Sequence, residues 1–164
     1  MNSTQYEAQV FLPVEHYLPH RGTMQLLDRL LAAGPEFAIA QVRVPRDSLF
    51  HQVQGVPGWV AIEYMAQTVA AWAGWNALQR QQSVKLGFLL GSRKFVALQP
   101  FIAPGSVLQV HVSCELMGDN GLGMFDCQVL DGEQVLATAK VSVFEPTDGR
   151  AYLSALDVKK EHTT

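Results

Sequence analysis

Two side chains suited to moving protons lie close together near the middle of the sequence. Glu63 stands in the first turns of the most apolar helical pattern of the chain, and His51 stands in the loop before it. A histidine and a carboxyl group are the usual pair for acid–base catalysis near neutral pH. An apolar environment favours the uncharged carboxyl group, which is then able to donate a proton. The pattern predicts an acid–base site with His51 and Glu63 as its catalytic residues.

The start of the predicted helix adds a third element, the dipeptide Pro57-Gly58. The first N–H groups of a helix lack internal partners and carry partial positive charge. The N–H groups near Gly58 therefore suit a carbonyl oxygen that becomes enolate-like, and glycine has no side chain to keep a substrate off the backbone. With His51 and Glu63, this arrangement suits removal of a proton α to a thioester carbonyl and loss of a β-hydroxyl group as water.

Each of these residues also has a simpler structural interpretation. Gln67 lies one turn after Glu63 on the same helix face, where it would satisfy a buried carboxyl group without any catalysis. His51, taken alone, resembles an ordinary surface residue of a loop. Trp59 is the tryptophan best placed to line a pocket and bind substrate, whereas the other two fit a core. We expect the remaining histidines to be structural or surface residues: His16, His20, His111 and His162.

One long helix and an antiparallel sheet are predicted to position the site. The helical pattern runs from Pro57-Gly58 to about Arg80 and is apolar nearly all round, so other elements must wrap it. Asp131-Gly132 is a strong signal for a tight hairpin turn. The prediction is an α+β fold, an antiparallel β-sheet wrapped around one long central helix. Strand patterns occupy 37–44, 86–98, 106–116, 121–130 and 134–144.

Composition narrows the possible functions. A chain of 164 residues with 48% hydrophobic residues fits one globular domain, which we place at 1–146, with a C-terminal tail at 147–164 that is a short helix or disordered. The formal net charge of -3 and the scattered Lys and Arg residues do not fit nucleic-acid binding. Cys114 and Cys127 form no metal-binding pattern, and we expect no metal and no cofactor. Without a signal peptide or a membrane span in the sequence, we expect a cytoplasmic protein.

Several segments in the same order resemble the β-hydroxyacyl-acyl-carrier-protein dehydratases of type II fatty acid synthesis. The resemblance covers roughly residues 14–144 and is closest to the divergent dehydratases of aryl-polyene-type gene clusters. The matching segments are Leu18-Pro19-His20-Arg21, Leu26-Leu27-Asp28-Arg29, Pro57-Gly58 with Glu63-Tyr64-Met65-Ala66-Gln67, Lys94-Phe95, Pro104-Gly105, and Gly121–Phe125 with Asp131-Gly132.

This resemblance implies a hot-dog fold and a dimer with two sites at the interface. Histidine would come from one chain and Glu63 from the other, Gly58 would hold the thioester carbonyl, and Gln67 would steady Glu63. The substrate would be a thioester of acyl carrier protein or coenzyme A, with its acyl chain in a tunnel beside the helix. Arg93-Lys94 would then suit an acidic carrier protein. The assembly would be a homodimer or a heterodimer with another hot-dog subunit, or a trimer of dimers.

The sequence departs from the family at the histidine. The family usually places it fourteen positions before the carboxylate, where this chain has Leu49, and His51 lies twelve positions before Glu63. His51 serves as the base only if the shorter loop brings its ring to the same place. Two alternatives to dehydration therefore stay open: an acyl thioesterase, and a non-catalytic or half-site partner subunit of a heterodimeric hot-dog dehydratase.

Overall fold

A computed structural model describes residues 9–47 and 49–161 of the chain. It contains eight strands and two α-helices within those residues, with short 3₁₀ turns at Val14–His16, Gly22–Met24 and Gly58–Val60. The elements in chain order are β1 (Arg29–Gly34), β2 (Phe37–Arg43), β3 (Val56–Pro57), α1 (Ala61–Gln79), β4 (Phe88–Ala97), β5 (Phe101–Ile102), β6 (Val107–Met117), β7 (Leu122–Asp131), β8 (Gln134–Phe144) and α2 (Gly149–Glu161).

The main sheet is antiparallel and has the strand order β1-β2-β6-β7-β8-β4. The predicted meander is present as β6, β7 and β8, and the predicted strand at 37–44 corresponds to β2. Strand β1 was not predicted as a separate strand; its residues pair with β2 across the Pro35 turn. Strands β3 and β5, which form a separate pair, were not predicted either, because two residues are too few for a periodic pattern.

Helix α1 packs against the inner face of this sheet, so the expected hot-dog arrangement is confirmed. Strands β6 and β7 alternate buried inner residues with more exposed outer ones, as the period of two requires, whereas β2 is buried on both faces from Ala38 to Val42. The core also includes Phe125 of β7 and Trp72 of α1, whose rings meet edge to face with centroids 5.0 Å apart. The prediction that α1 is buried on every side is wrong for one protomer, because Leu78 is exposed and Trp59, just before the helix, is 58% exposed.

A glycine in the middle of α1 lets the N-terminal segment lie directly on the helix. A Cβ atom at Gly74 would overlap the carbonyl oxygen of Tyr17. Glycine inside a helix costs roughly 1 kcal/mol relative to alanine, and here it permits this close backbone contact. The contact fixes the start of the segment that carries residues 18–26 past the first turns of α1.

The C-terminal segment contains helix α2, which packs on the sheet through Tyr152. The ring of Tyr152 contacts Phe88 of β4 and Phe144 of β8, with centroids 5.1 Å and 5.3 Å away. The tail was expected to be either a short helix or disordered, and its described residues form the helix α2. His162 lies outside the described residues. No helix among the described residues is long and apolar enough to cross a membrane.

Candidate active site

Glu63 lies in the first turn of α1 and is held by the side chain of Gln67. Gln67 Nε2 donates a hydrogen bond of 2.9 Å to Glu63 Oε1. Gln67 is fully buried although it is polar, and its remaining hydrogen bonds go to the N-terminal segment. Its Nε2 also donates to the Met24 carbonyl at 2.7 Å, and its Oε1 accepts from the Leu26 N–H at 2.9 Å. Gln67 therefore orients Glu63 and fastens residues 24–26 to the helix.

Among the described residues, His20 is the histidine that contacts Glu63, and the sequence had predicted it to be structural or on the surface. His20 Nε2 lies 3.8 Å from Glu63 Oε1, and both side chains are less than one third exposed. His20 was predicted to be structural or on the surface, and the structure adds a partner, Glu63, that no local pattern indicated. A signal for His20 was present in the Leu18–Arg21 motif, but the partner lies 43 positions along the chain and only the fold brings the two together.

Arg21 fixes the backbone that presents His20. Its guanidinium group donates hydrogen bonds to the carbonyl oxygens of Leu18, of His20 itself at 2.7 Å and of Glu15 at 3.0 Å. One rigid side chain thus closes the loop around residues 15–21. The loop consequently holds the imidazole in one place beside α1.

The protonation of His20 reflects its surroundings. Burial lowers the pKa of His20, Glu63 opposes that shift by favouring the charged ring, and Arg21 lowers the pKa further. The ring is therefore neutral at pH 7. Its Nδ1 is buried and has no hydrogen-bond partner among the described residues, so Nε2 is the nitrogen left to face Glu63.

His51 lies in the loop that precedes β3. No hydrogen bond or ion pair within the described chain joins His51 to Glu63, although both residues are described. The loop around it turns tightly where Gln52 and Gly55 exchange backbone hydrogen bonds of 2.9 Å and 3.0 Å. His51 Nδ1 is also buried and has no hydrogen-bond partner in the part of the chain that the structure describes. The predicted pair therefore does not form within one chain, and its role stays a prediction that requires a second chain.

The glycine predicted to hold a carbonyl oxygen is packed and hydrogen-bonded. The N–H of Gly58 donates to the Pro100 carbonyl at 2.9 Å, which extends the β3–β5 pairing. A Cβ atom at this position would overlap the Gln99 carbonyl oxygen, so close packing alone requires glycine here. In this structure the Gly58 N–H is engaged and takes a substrate carbonyl only if that bond opens. The neighbouring Trp59 side chain is exposed, with its ring 6.0 Å from Phe50.

An apolar cavity of about 110 Å³ opens beside Glu63 and His20. On the α1 side, small residues at helical spacing leave the space free, and the opposite wall comes from the ends of β4 and β8. Glu63 is the first α1 residue along this wall and Ala73 the last, a rise of roughly 15 Å at 1.5 Å per residue. A wider cleft of about 630 Å³ shares Trp72, Ala73 and Met117 with it. The main apolar lining residues are Ala66, Val69, Ala70, Phe88, Val143 and Phe144.

The fold and the site thus define a hot-dog protein with the Glu63 carboxyl group, held by Gln67, at an apolar cavity beside the central helix. No three His, Cys, Asp or Glu side chains among the described residues lie close enough to hold a metal ion. The family profile of the ApeP-like dehydratases ("ApeP dehydratase") matches residues 12–154. The chain belongs to this family, and its reaction class is dehydration.

Individual relatives agree with this placement. The chain is 30% identical over 139 residues to the 3-hydroxyacyl-[acyl-carrier-protein] dehydratase FabZ of Latilactobacillus sakei subsp. sakei (strain 23K), which covers 80% of this chain and 96% of the relative. A structure titled the dehydratase heterocomplex ApeI:P from Xenorhabdus doucetiae superposes with a TM-score of 0.83 at 32% identity, covering 90% of this chain and 99% of that one. Protein PH1136 from Pyrococcus horikoshii shares the fold, with a TM-score of 0.60 at 13% identity over 84% of this chain and 97% of that one.

Proposed function

We propose that this chain removes water from 3-hydroxyacyl thioesters carried on the phosphopantetheine arm of acyl carrier protein, giving trans-2-enoyl thioesters, and that it acts in the cytoplasm. The observation that carries the proposal is the placement of Glu63. It is oriented by Gln67 and lies at an apolar cavity along α1, in a member of a dehydratase family. A coenzyme A thioester offers the same arm and the same acyl group.

The chemistry needs a base at the α-carbon and an acid at the β-hydroxyl group. The base takes the α-proton, the electrons of that C–H bond form the Cα–Cβ double bond, and the C–O bond breaks. Glu63 donates its proton to the departing hydroxyl group, which leaves as water. The thioester carbonyl, which takes negative charge, accepts a hydrogen bond from the Gly58 N–H at the start of the helix once the bond of that N–H to the Pro100 carbonyl opens. The proton on the base then returns to Glu63 through water, which completes the cycle.

The base is a histidine of a second hot-dog chain, and it is His51 when that chain is a copy of this one. Among the described residues of one protomer, no hydrogen bond or ion pair joins His51 to Glu63, and the buried His51 Nδ1 has no hydrogen-bond partner. An unpaired edge strand is a ready surface for pairing with another chain, and β4 is such an edge. The second chain is a copy of this one or a different hot-dog subunit, and dimers are free to assemble further. Exposed apolar side chains on β4 and around the His51 loop support burial by that chain: Leu49, Val53, Trp59, Leu89, Leu90 and Val96.

Product identity is the test of this function. The chain is incubated with a 3-hydroxyacyl carrier protein, and the intact carrier is weighed by mass spectrometry. We expect the mass to fall by one water, with rising ultraviolet absorbance of the enoyl thioester. Release of the free carrier thiol would instead identify a thioesterase and contradict dehydration.

A second candidate is a half-site subunit that supplies only Glu63 to a heterodimer. Two observations support this candidate. No hydrogen bond or ion pair joins His51 to Glu63 within the described chain, and the chain is similar to a structure titled a dehydratase heterocomplex. The two candidates differ in the activity of the purified chain alone. Dehydration by the chain alone, abolished by His51→Ala, supports a complete site between two copies. Activity that appears only with a different hot-dog chain, and that survives His51→Ala, supports the half-site subunit.

A further inference from the structure

We propose that His20 is a positioning residue for Glu63 in the same protomer, a second histidine of the site besides the one in the His51 loop. Its imidazole and the Gln67 amide hold the same carboxyl oxygen, Oε1. The inference rests on the proposed dehydration at Glu63 and adds a residue to it.

The geometry directs both groups at one carboxyl oxygen. Glu63 Oε1 accepts the hydrogen bond from Gln67 and lies 3.8 Å from His20 Nε2. Hydrogen bonds at catalytic groups are often long without substrate and shorten when substrate binds. Glu63 Oε2 has no hydrogen-bond partner among the described residues, so it is the oxygen left for the substrate hydroxyl group. His20 and Glu63 line the same cavity, which places this free oxygen where a substrate would enter.

The surroundings of His20 are built to keep the ring in place. Arg21 closes the loop on three carbonyl oxygens, and Gln67 fastens the residues that follow the loop. Gly74 lets Tyr17, which belongs to this loop, lie directly on α1. Among the described residues, His20 Nδ1 nevertheless stays buried without a hydrogen-bond partner, which is unfavourable for a polar group. An apolar side chain would fill this space without that cost, so the ring is better explained by its contact with Glu63.

The pKa of the His20 ring reports its contact with Glu63, because charged groups surround the ring. Glu63 and Arg21 act on His20 with opposite sign, and Lys85 and Glu145 line the same cavity. Glu63→Gln removes the interaction that raises the pKa of His20 and leaves burial and Arg21 unopposed, so the pKa of His20 should fall further. A ring held only by packing, out of reach of the Glu63 carboxyl group, would not respond.

The first experiment compares dehydration kinetics of His20→Ala and His20→Gln. Glutamine keeps an N–H donor within reach of Glu63 but cannot titrate. We expect His20→Ala to lower kcat roughly 100-fold, the scale of a displaced catalytic group, with little change in KM. His20→Gln should recover at least tenfold of that loss. His111→Gln is the matched control, because burial also lowers the pKa of His111 and that residue lies on β6; its kinetics should match the wild type.

The second experiment needs no activity. NMR titration of the imidazole of His20 is compared between wild type and Glu63→Gln, and the His20 pKa should be lower in the variant. An unchanged His20 titration would overturn the proposal, as would wild-type kcat in His20→Ala. Equal losses in His20→Ala and His20→Gln, both with reduced melting temperature, would show a purely structural residue. A wild type that titrates as expected but does not dehydrate would instead count against the proposed function.

Discussion

Replacing Gln67 by methionine tests how the site is assembled. The change keeps the length of a fully buried side chain and removes its three hydrogen bonds, to Glu63, Met24 and Leu26. At about 1 kcal/mol net for each bond, we expect the free energy of unfolding to fall by about 3 kcal/mol. Thr68→Val is the matched control, because Thr68 is equally buried and makes one hydrogen bond, to the Tyr64 carbonyl. That control should cost about 1 kcal/mol.

Urea unfolding of the two variants gives the comparison, since the midpoint shifts with stability when the slope stays constant. The kcat of dehydration gives a second measurement of the effect of Gln67→Met. Without its donor, the Glu63 carboxyl group loses one of its fixed contacts, and kcat should fall roughly tenfold to 100-fold. A Gln67→Met protein no less stable than Thr68→Val would refute the view that Gln67 fastens the N-terminal segment to α1.

Three further predictions follow from the packing and the buried histidines. Gly74→Ala should lower the free energy of unfolding by roughly 2 kcal/mol despite better helix propensity, because the new methyl group overlaps the Tyr17 carbonyl; an unchanged thermal midpoint would contradict this. Ala70→Leu should narrow the cavity beside α1 and lower kcat/KM for long acyl chains but not for short ones, measured over a series of lengths; equal effects at all lengths would contradict an acyl channel. Burial lowers the pKa of His20 and His111 in the folded protein, so the unfolded chain binds more protons. The free energy of unfolding should therefore decrease as the pH falls below about 6.5. Urea unfolding at two pH values should show a smaller decrease of this free energy in the His20→Gln/His111→Gln double variant than in the wild type.

The main elements were predictable because their patterns are local. The meander, β2 and α1 each carry a regular period or a turn signal such as Asp131-Gly132. The extent of burial of α1 was not predictable, because it depends on which surfaces a single chain covers. The two-residue strands β3 and β5 have no period of their own and exist because backbone groups pair across the fold.

The site was predictable in part. Spacing along one helix was enough to place Gln67 next to Glu63, and the hydrogen bond between them is present. The contact of His20 with Glu63 depends on how the N-terminal segment crosses α1, which no local pattern encodes. The engaged N–H of Gly58 likewise depends on a distant partner, the Pro100 carbonyl. Whether His51 is the base depends on a second chain and stays a prediction.

The most direct test of the central claim is the rate of dehydration of a 3-hydroxyacyl carrier protein by Glu63→Gln, measured beside Glu145→Gln. Both residues line the cavity, but only Glu63 is held by Gln67 and assigned the proton transfer. Loss of an acid–base group costs about 10²- to 10⁴-fold in rate, so we predict a loss of that size in Glu63→Gln with unchanged unfolding, and near wild-type rates in Glu145→Gln. Full activity in Glu63→Gln would contradict the account.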